Sequence, residues 1–185
     1  MTRRSAVLAA LLAFLAAWAP PAAHAKLIFR LRDASTLSTA QLIASLRGAR
    51  VIFFGERHDR AEDHVAQRTI MQALQETGVP LAVGMEMFRR DAQPQLDRWV
   101  AGTLDMKALR GLYDGNWDPP LFEQYRDILL YARQERIPLI GLNIATAIVE
   151  QVGRGGFRSL SAEQRRQLGV NSCDVSPRYA DVLHR

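Results

Sequence analysis

The sequence predicts an α/β domain whose mostly parallel sheet is flanked by helices. Three observations carry that expectation. Short continuous apolar runs at residues 51–54, 80–85 and 137–142 read as strands buried on both faces. Stretches with apolar residues at helical spacing lie between them. Glycine, proline and asparagine punctuate the joins.

The elements follow in chain order. Arg3 and Arg4 precede an apolar run over residues 6–19, and Ala23-His24-Ala25 follows a proline pair. A basic start, an apolar segment too short to span comfortably and a small-residue end read as a cleaved export signal, residues 1–25. A retained anchor is the alternative, and the arginine pair leaves Sec or twin-arginine export open. No cysteine follows the apolar run, so a lipobox anchor is not expected. Residues 26–185 then form one domain.

Ser38 and Gln41 make a capping-box pattern ahead of Leu42, Ile43 and Leu46. After the strand at 51–54, residues 60–77 carry Ala61, Val65, Ala66, Ile70, Ala73 and Leu74 on one side, an amphipathic helix. The strand over 80–86 closes a βαβ unit, which implies parallel pairing. An inserted helical segment follows at about 91–135: two short helices separated at Gly102, a loop at 115–120, and a helix presenting Phe122, Tyr125, Leu129 and Ala132 to a core. A third strand occupies 137–142, with Asn143 after it. A helix ending at Gly153–Gly156 and a capping box at Ser161–Gln164 complete the pattern. Residues 178–185 read as the start of another helix, so the domain is expected to be incomplete at its C-terminus.

Composition removes several function classes. The chain has 24 basic and 19 acidic residues, and residues 1–25 hold two of the former and none of the latter. The remaining charge of about +3 is not gathered into a basic run, which argues against nucleic acid as a partner. Cys173 is the single cysteine, so neither an internal disulfide nor a Cys-rich metal site is available. A metal or haem would have to rely on His, Tyr, Asp or Glu.

In an open parallel sheet, ligands bind beyond the carboxyl ends of the strands. Glu56, Glu86 and Asn143 fall at three such ends, with His58 in the loop beyond Glu56 and His64 at the start of the next helix. The six-residue separation of the histidines does not suit two ligands on one helix, but a loop that folds back brings them together. Two carboxylates and two histidines suit a divalent cation such as Zn or Mn, or general acid–base work. Equally, such residues decorate the polar rim of any strand–helix junction. Glu86, set among Val83, Met85, Met87 and Phe88, favours a cleft, because a carboxylate in apolar surroundings needs a partner. Met85, Met87 and Phe88 themselves read as core. Tyr113, Tyr125, Tyr131 and Tyr179 include possible haem-iron ligands, although Tyr125 also fits its helix's core stripe. Trp117 reads either as an exposed platform or as a plug.

These residues carry a resemblance. VIFFGERH at 51–58, followed by His64, resembles the opening motif of the ChaN-type haem-binding lipoproteins, in the Tiki/erythromycin-esterase-like superfamily. GMEMF at 84–88 resembles that family's second strand, and the stretch from Tyr125 through Tyr131 to Asn143 resembles its third. The likeness covers roughly residues 27–169. It implies an exported haem binder of bacterial haem and iron acquisition, periplasmic or peripheral to the outer membrane. It further implies a homodimer around the cofactor and an outer-membrane haem-uptake system as partner. His58, His64, Tyr125 and Asn143 are the residues expected at the cofactor, while the family's tyrosine ligand has no secure position here. Relatives in the wider superfamily are hydrolases, some metal-dependent. The alternative is therefore a divalent metal on Glu56, His58, His64 and Glu86, with Glu56, His58 and Glu86 catalytic. Two departures stand out: the missing lipobox cysteine, and a chain shorter than family members usually are.

Overall fold

In the computed structural model, residues 28–168 are described; the expected export signal, Cys173, Tyr179 and the helix start at 178–185 lie outside them. The described residues fall into two compact units, divided after Ile52.

The first unit contains a feature the sequence did not announce. Strand β1 (Ile28–Arg30) pairs antiparallel with β2 (Ser35–Leu37). Asp33 shapes the turn by accepting from both the backbone N–H and the hydroxyl of Ser35, at 3.1 and 2.6 Å. Three-residue strands are too short to show a period of two. Helix α1 (Thr39–Leu46) begins as expected: the Ser38 hydroxyl accepts from Gln41 N, and the Gln41 side chain accepts from Ser38 N.

The second unit holds the core. Helix α2 (Ala61–Gln75) precedes strand β3 (Val83–Arg89); α3 (Gln93–Val100), α4 (Met106–Asp114) and α5 (Phe122–Gln134) follow. Strand β4 (Leu139–Asn143) then pairs parallel with β3, and α6 (Thr146–Gly155) and α7 (Ala162–Leu168) end the described chain. Val83 pairs with Leu139 and Arg89 with Asn143, with an irregularity between Met85 and Arg89. At the pair between them Gly141 is required by space. A Cβ there would collide with the Arg89 carbonyl oxygen and stand 3.1 Å from that of Phe88.

The helical insertion is as expected, with the break at Gly102, whose φ of 80° is the left-handed conformation glycine adopts without penalty. Arg133 fixes that break, donating to the carbonyls of Gly102 and Leu104 at 3.1 and 3.2 Å while its guanidinium lies over the Trp99 ring. Trp99 is fully buried and donates to the Leu129 carbonyl at 2.9 Å. Gln93 plays strand to β4: its amide donates to Leu139 O at 2.7 Å and accepts from Gly141 N at 3.1 Å. Met85, Met87 and Phe88 pack with Leu96, Trp99, Tyr113, Tyr125 and Leu129, so the core reading of the β3 side chains holds.

Two expectations fail. Residues 51–54 do not form a strand. They join neither ladder, Val51 is 68% and Phe53 93% exposed, and the boundary between the two units falls after Ile52. An apolar run shows an appetite for burial; a strand exists only where a neighbour supplies ladder hydrogen bonds. The βαβ unit over 51–86 is therefore not made, and the parallel pair joins β3 to β4 instead. Helix α2 is also rotated from its expected face. His64, Gln67, Met71 and Leu74 point inward, at spacings of three and four, while Val65 is exposed.

Candidate functional site

The site is built on the segment that enters α2. Residues 55–57 are irregular, a turn closed by Arg60 N donating to Arg57 O at 3.0 Å carries His58, and α2 starts at Ala61. The cap residue Arg60 supplies no side-chain acceptor; instead Asp63 reaches back to accept from Arg57 N at 3.0 Å, which ties the turn to the first turn of α2.

Glu56 is the centre, its side chain 9% exposed. One carboxylate oxygen accepts from Tyr125 OH at 2.5 Å and lies 3.0 Å from His58 Nδ1. The other accepts from the Gln67 amide and stands 3.5 Å from His64 Nδ1. Burial pushes the Glu56 carboxyl up, but hydrogen bonds from Tyr125, Gln67 and His58, with the His64 ring nearby, hold it below the usual carboxylate range. The same pair acts oppositely on Tyr125: burial, then the bond to Glu56 and its charge, push the phenol well above its ordinary value. An ionised Glu56 with a neutral Tyr125 donor is the resulting state.

His58 Nδ1 lies 3.0 Å from both Glu56 Oε1 and Tyr125 OH. The Tyr125 hydroxyl is already committed as a donor to Glu56, so His58 Nδ1 meets both oxygens as a donor, with its proton toward the carboxylate. In the neutral ring that tautomer leaves the lone pair on Nε2. The His58 side chain is 41% exposed, the most open group of the cluster. His64, 4% exposed, meets the Tyr125 ring edge-on at 4.5 Å, and its Nε2 faces the His58 carbonyl at 3.1 Å.

Trp117 is placed by a chain of contacts from β3. Arg89 N donates to Asn116 Oδ1 at 3.0 Å, and the Asn116 amide donates to Leu112 O at 2.7 Å. The anchored loop sets the half-buried Trp117 indole edge-on to His58 at 5.3 Å, so it walls the site rather than standing free as a platform. Among the described residues, Tyr113 OH and Trp117 Nε1 are buried atoms without hydrogen-bond partners, and the Tyr113 ring lies 6.1 Å from that of Tyr125.

Of the expected site residues, Glu56, His58, His64 and Tyr125 come together. Glu86 does not join them by contact: it is exposed on β3, on the side away from Met85 and Met87, and reaches Tyr125 only through its charge. Its immediate neighbours Met85 and Met87 alternate to the other, buried face of the strand, which is why the expectation of a buried acid fails. Asn143 lies at the end of β4 as expected, but its Oδ1 accepts from the next residue's backbone, Ile144 N, at 2.8 Å. Among the described residues, no three His, Cys, Asp or Glu side chains are arranged to hold a metal ion. Gln67 was missed; its signal is its position one turn after His64 on the inward face of α2.

A solved structure of ChaN from Campylobacter jejuni, described as showing cofacial haem binding, aligns with a TM-score of 0.61 at 21% identity. The alignment covers 70% of this chain and 52% of that one, and at this identity it supports the fold alone. A curated relative, the chloroplastic protein RETICULATA-RELATED 5 of Arabidopsis thaliana, is 25% identical over 151 residues. That match takes in 74% of this chain, which spans only a fifth of the relative's length. Residues 42–185 match the family model described as haem-binding uptake, Tiki superfamily, ChaN, and the chain belongs to that family.

Proposed function

We propose that this chain binds haem at the surface opened by His58, as an exported component of bacterial haem and iron acquisition. The observation that carries the reading is the setting of His58: a partly exposed imidazole, 41% open, whose Nδ1 lies 3.0 Å from both Glu56 and Tyr125. The donor set fits a haem iron, which takes imidazole or phenolate ligands. A carboxylate behind the imidazole fixes its tautomer and raises its basicity, the usual support of a metal-bound histidine. Haem would supply the iron centre and its absorption; the residues orient the imidazole, keep Tyr125 protonated and wall one side with Trp117. Export, a periplasmic or outer-membrane-peripheral location, a homodimer around the cofactor and an outer-membrane uptake partner belong to the same proposal.

Titration of the purified protein with hemin tests it. A shifted Soret band is expected, lost or altered in His58→Ala with the fold retained. A folded protein with a flat titration overturns the reading. Metal analysis and ester and peptide hydrolysis assays on the same preparation address the metal-dependent hydrolase alternative, in which Glu56→Ala would abolish turnover.

A further inference from the structure

Charge is shared unevenly between the two units. Residues 26–52 hold Lys26, Arg30, Arg32, Arg47 and Arg50 against Asp33 alone, whereas residues 53–185 hold 17 basic and 18 acidic residues. The one carboxylate of the first unit is occupied at the tip of its hairpin: Asp33 accepts from Ser35 and pairs with Arg30 at 3.3 Å. Among the described residues, Arg32, Arg47 and Arg50 are exposed and form no ion pair. Large apolar side chains stand out beside these charges. Leu31, in the turn between β1 and β2, is 95% exposed, and Phe29, on β1, is 59% exposed. The cross-strand neighbour of Phe29, Thr36, is exposed as well, so this face of the hairpin lies open. Ala34 closes the turn with a φ of 53°, left-handed backbone that a residue with a Cβ adopts only where its surroundings hold it.

We propose that this hairpin docks the chain on an anionic lipid surface, with Leu31 and Phe29 at the boundary of headgroups and acyl chains and Arg32 on the phosphates. The inference deepens the membrane-peripheral location in the reading above and uses none of its haem chemistry. The apolar tip is what separates a bilayer from other anionic partners. A nucleic acid offers phosphates with no apolar layer beneath them, and would leave Leu31 in water. A bilayer offers both within the depth of about 5–10 Å that an interfacial apolar face reaches. Arginines close to such a surface are attracted to its anionic headgroups, over a range that salt sets. Arg47 and Arg50, after α1, add to the positive field that draws the unit in.

Co-sedimentation of the full chain with phosphatidylcholine vesicles, with and without phosphatidylglycerol, tests this. Wild type, Arg32→Gln and Leu31→Ser are compared, with circular dichroism as the control for folding. The apolar run at residues 6–19 is present in all three, so differences among them report the hairpin. Binding to the phosphatidylglycerol vesicles is expected to weaken about fivefold in Arg32→Gln and about tenfold in Leu31→Ser. The arginine effect is expected to fade at high salt while the leucine effect persists. A polarity-sensitive fluorophore on Leu31→Cys, in a Cys173→Ser chain, is expected to shift to shorter wavelength with those vesicles; the same label on Thr69→Cys of α2 is expected not to. Unchanged vesicle binding in both variants, or a label at residue 31 that does not shift, overturns the inference. So does binding to duplex DNA that Arg32→Gln weakens and Leu31→Ser does not, where phosphatidylglycerol vesicles bind no better than phosphatidylcholine alone. A flat hemin titration leaves the vesicle result standing, and a failed vesicle assay leaves haem binding standing, so the two readings fail separately.

Discussion

Replacement of Tyr125 by phenylalanine isolates one atom of the cluster. The ring is 1% exposed and stays, with its contacts to His64 and Tyr113. The lost hydroxyl donates to Glu56 Oε1 at 2.5 Å and lies 3.0 Å from His58 Nδ1. A hydrogen bond to a charged group contributes about 1.5–3 kcal/mol. Glu56 keeps its contacts with Gln67 and His58, so the lower part of that range applies, about 2 kcal/mol. For a domain of this size that lowers the Tm by about 6 °C. The second signature is alkaline. Burial and the bond to Glu56 raise the phenol above its ordinary value of 10.0, so the folded state keeps a proton the unfolded chain releases. This stabilisation is full below that ordinary value and is lost as the pH rises toward the folded one. The variant lacks the loss, and its stability falls less steeply above about pH 10. Calorimetry from neutral to alkaline pH measures both effects. A Tm within about 1 °C of wild type, or an identical alkaline limb, refutes the geometry claimed for Tyr125.

Glu56→Gln places an amide among three donors, and urea denaturation at neutral pH should show a loss of about 2–3 kcal/mol. The same variant should flatten the acid limb. Glu56 sits below its ordinary 4.5 in the fold, so its contribution is present above that value and disappears as the pH falls through the folded one. Gly141→Ala and Gly55→Ala form a contrasting pair. The first drives a Cβ into the Arg89 and Phe88 carbonyls and should cost more than about 3 kcal/mol, or the soluble protein altogether. The second enters open space and should change stability by less than about 0.5 kcal/mol. Equal effects at the two glycines would contradict the β3–β4 register.

How much was legible in advance differs between the pieces. Local chemistry was readable. The capping boxes at Ser38 and Ser161, the break at Gly102, and the core stripe of Phe122, Tyr125, Leu129 and Ala132 each depend on a few neighbours along the chain. The clustering of Glu56, His58 and His64 was half readable, since the nine residues 56–64 of loop and first turn already bring them close. Tyr125 was a candidate from its type, but its tie to Glu56 joins residues 69 positions apart and no spacing predicts it.

By itself, then, the sequence determined the alternation of helix and apolar run, the helical insertion and the identity of the residues near His58. These follow from period, capping and turn chemistry, which act within a few residues. Only the tertiary structure decided that 51–54 lies outside any ladder, that β3 pairs with β4, that Glu86 faces outward, and that His64 and Gln67 face in. Pairing and facing depend on which distant surface is available to bury against, a choice that apolar content announces but does not make.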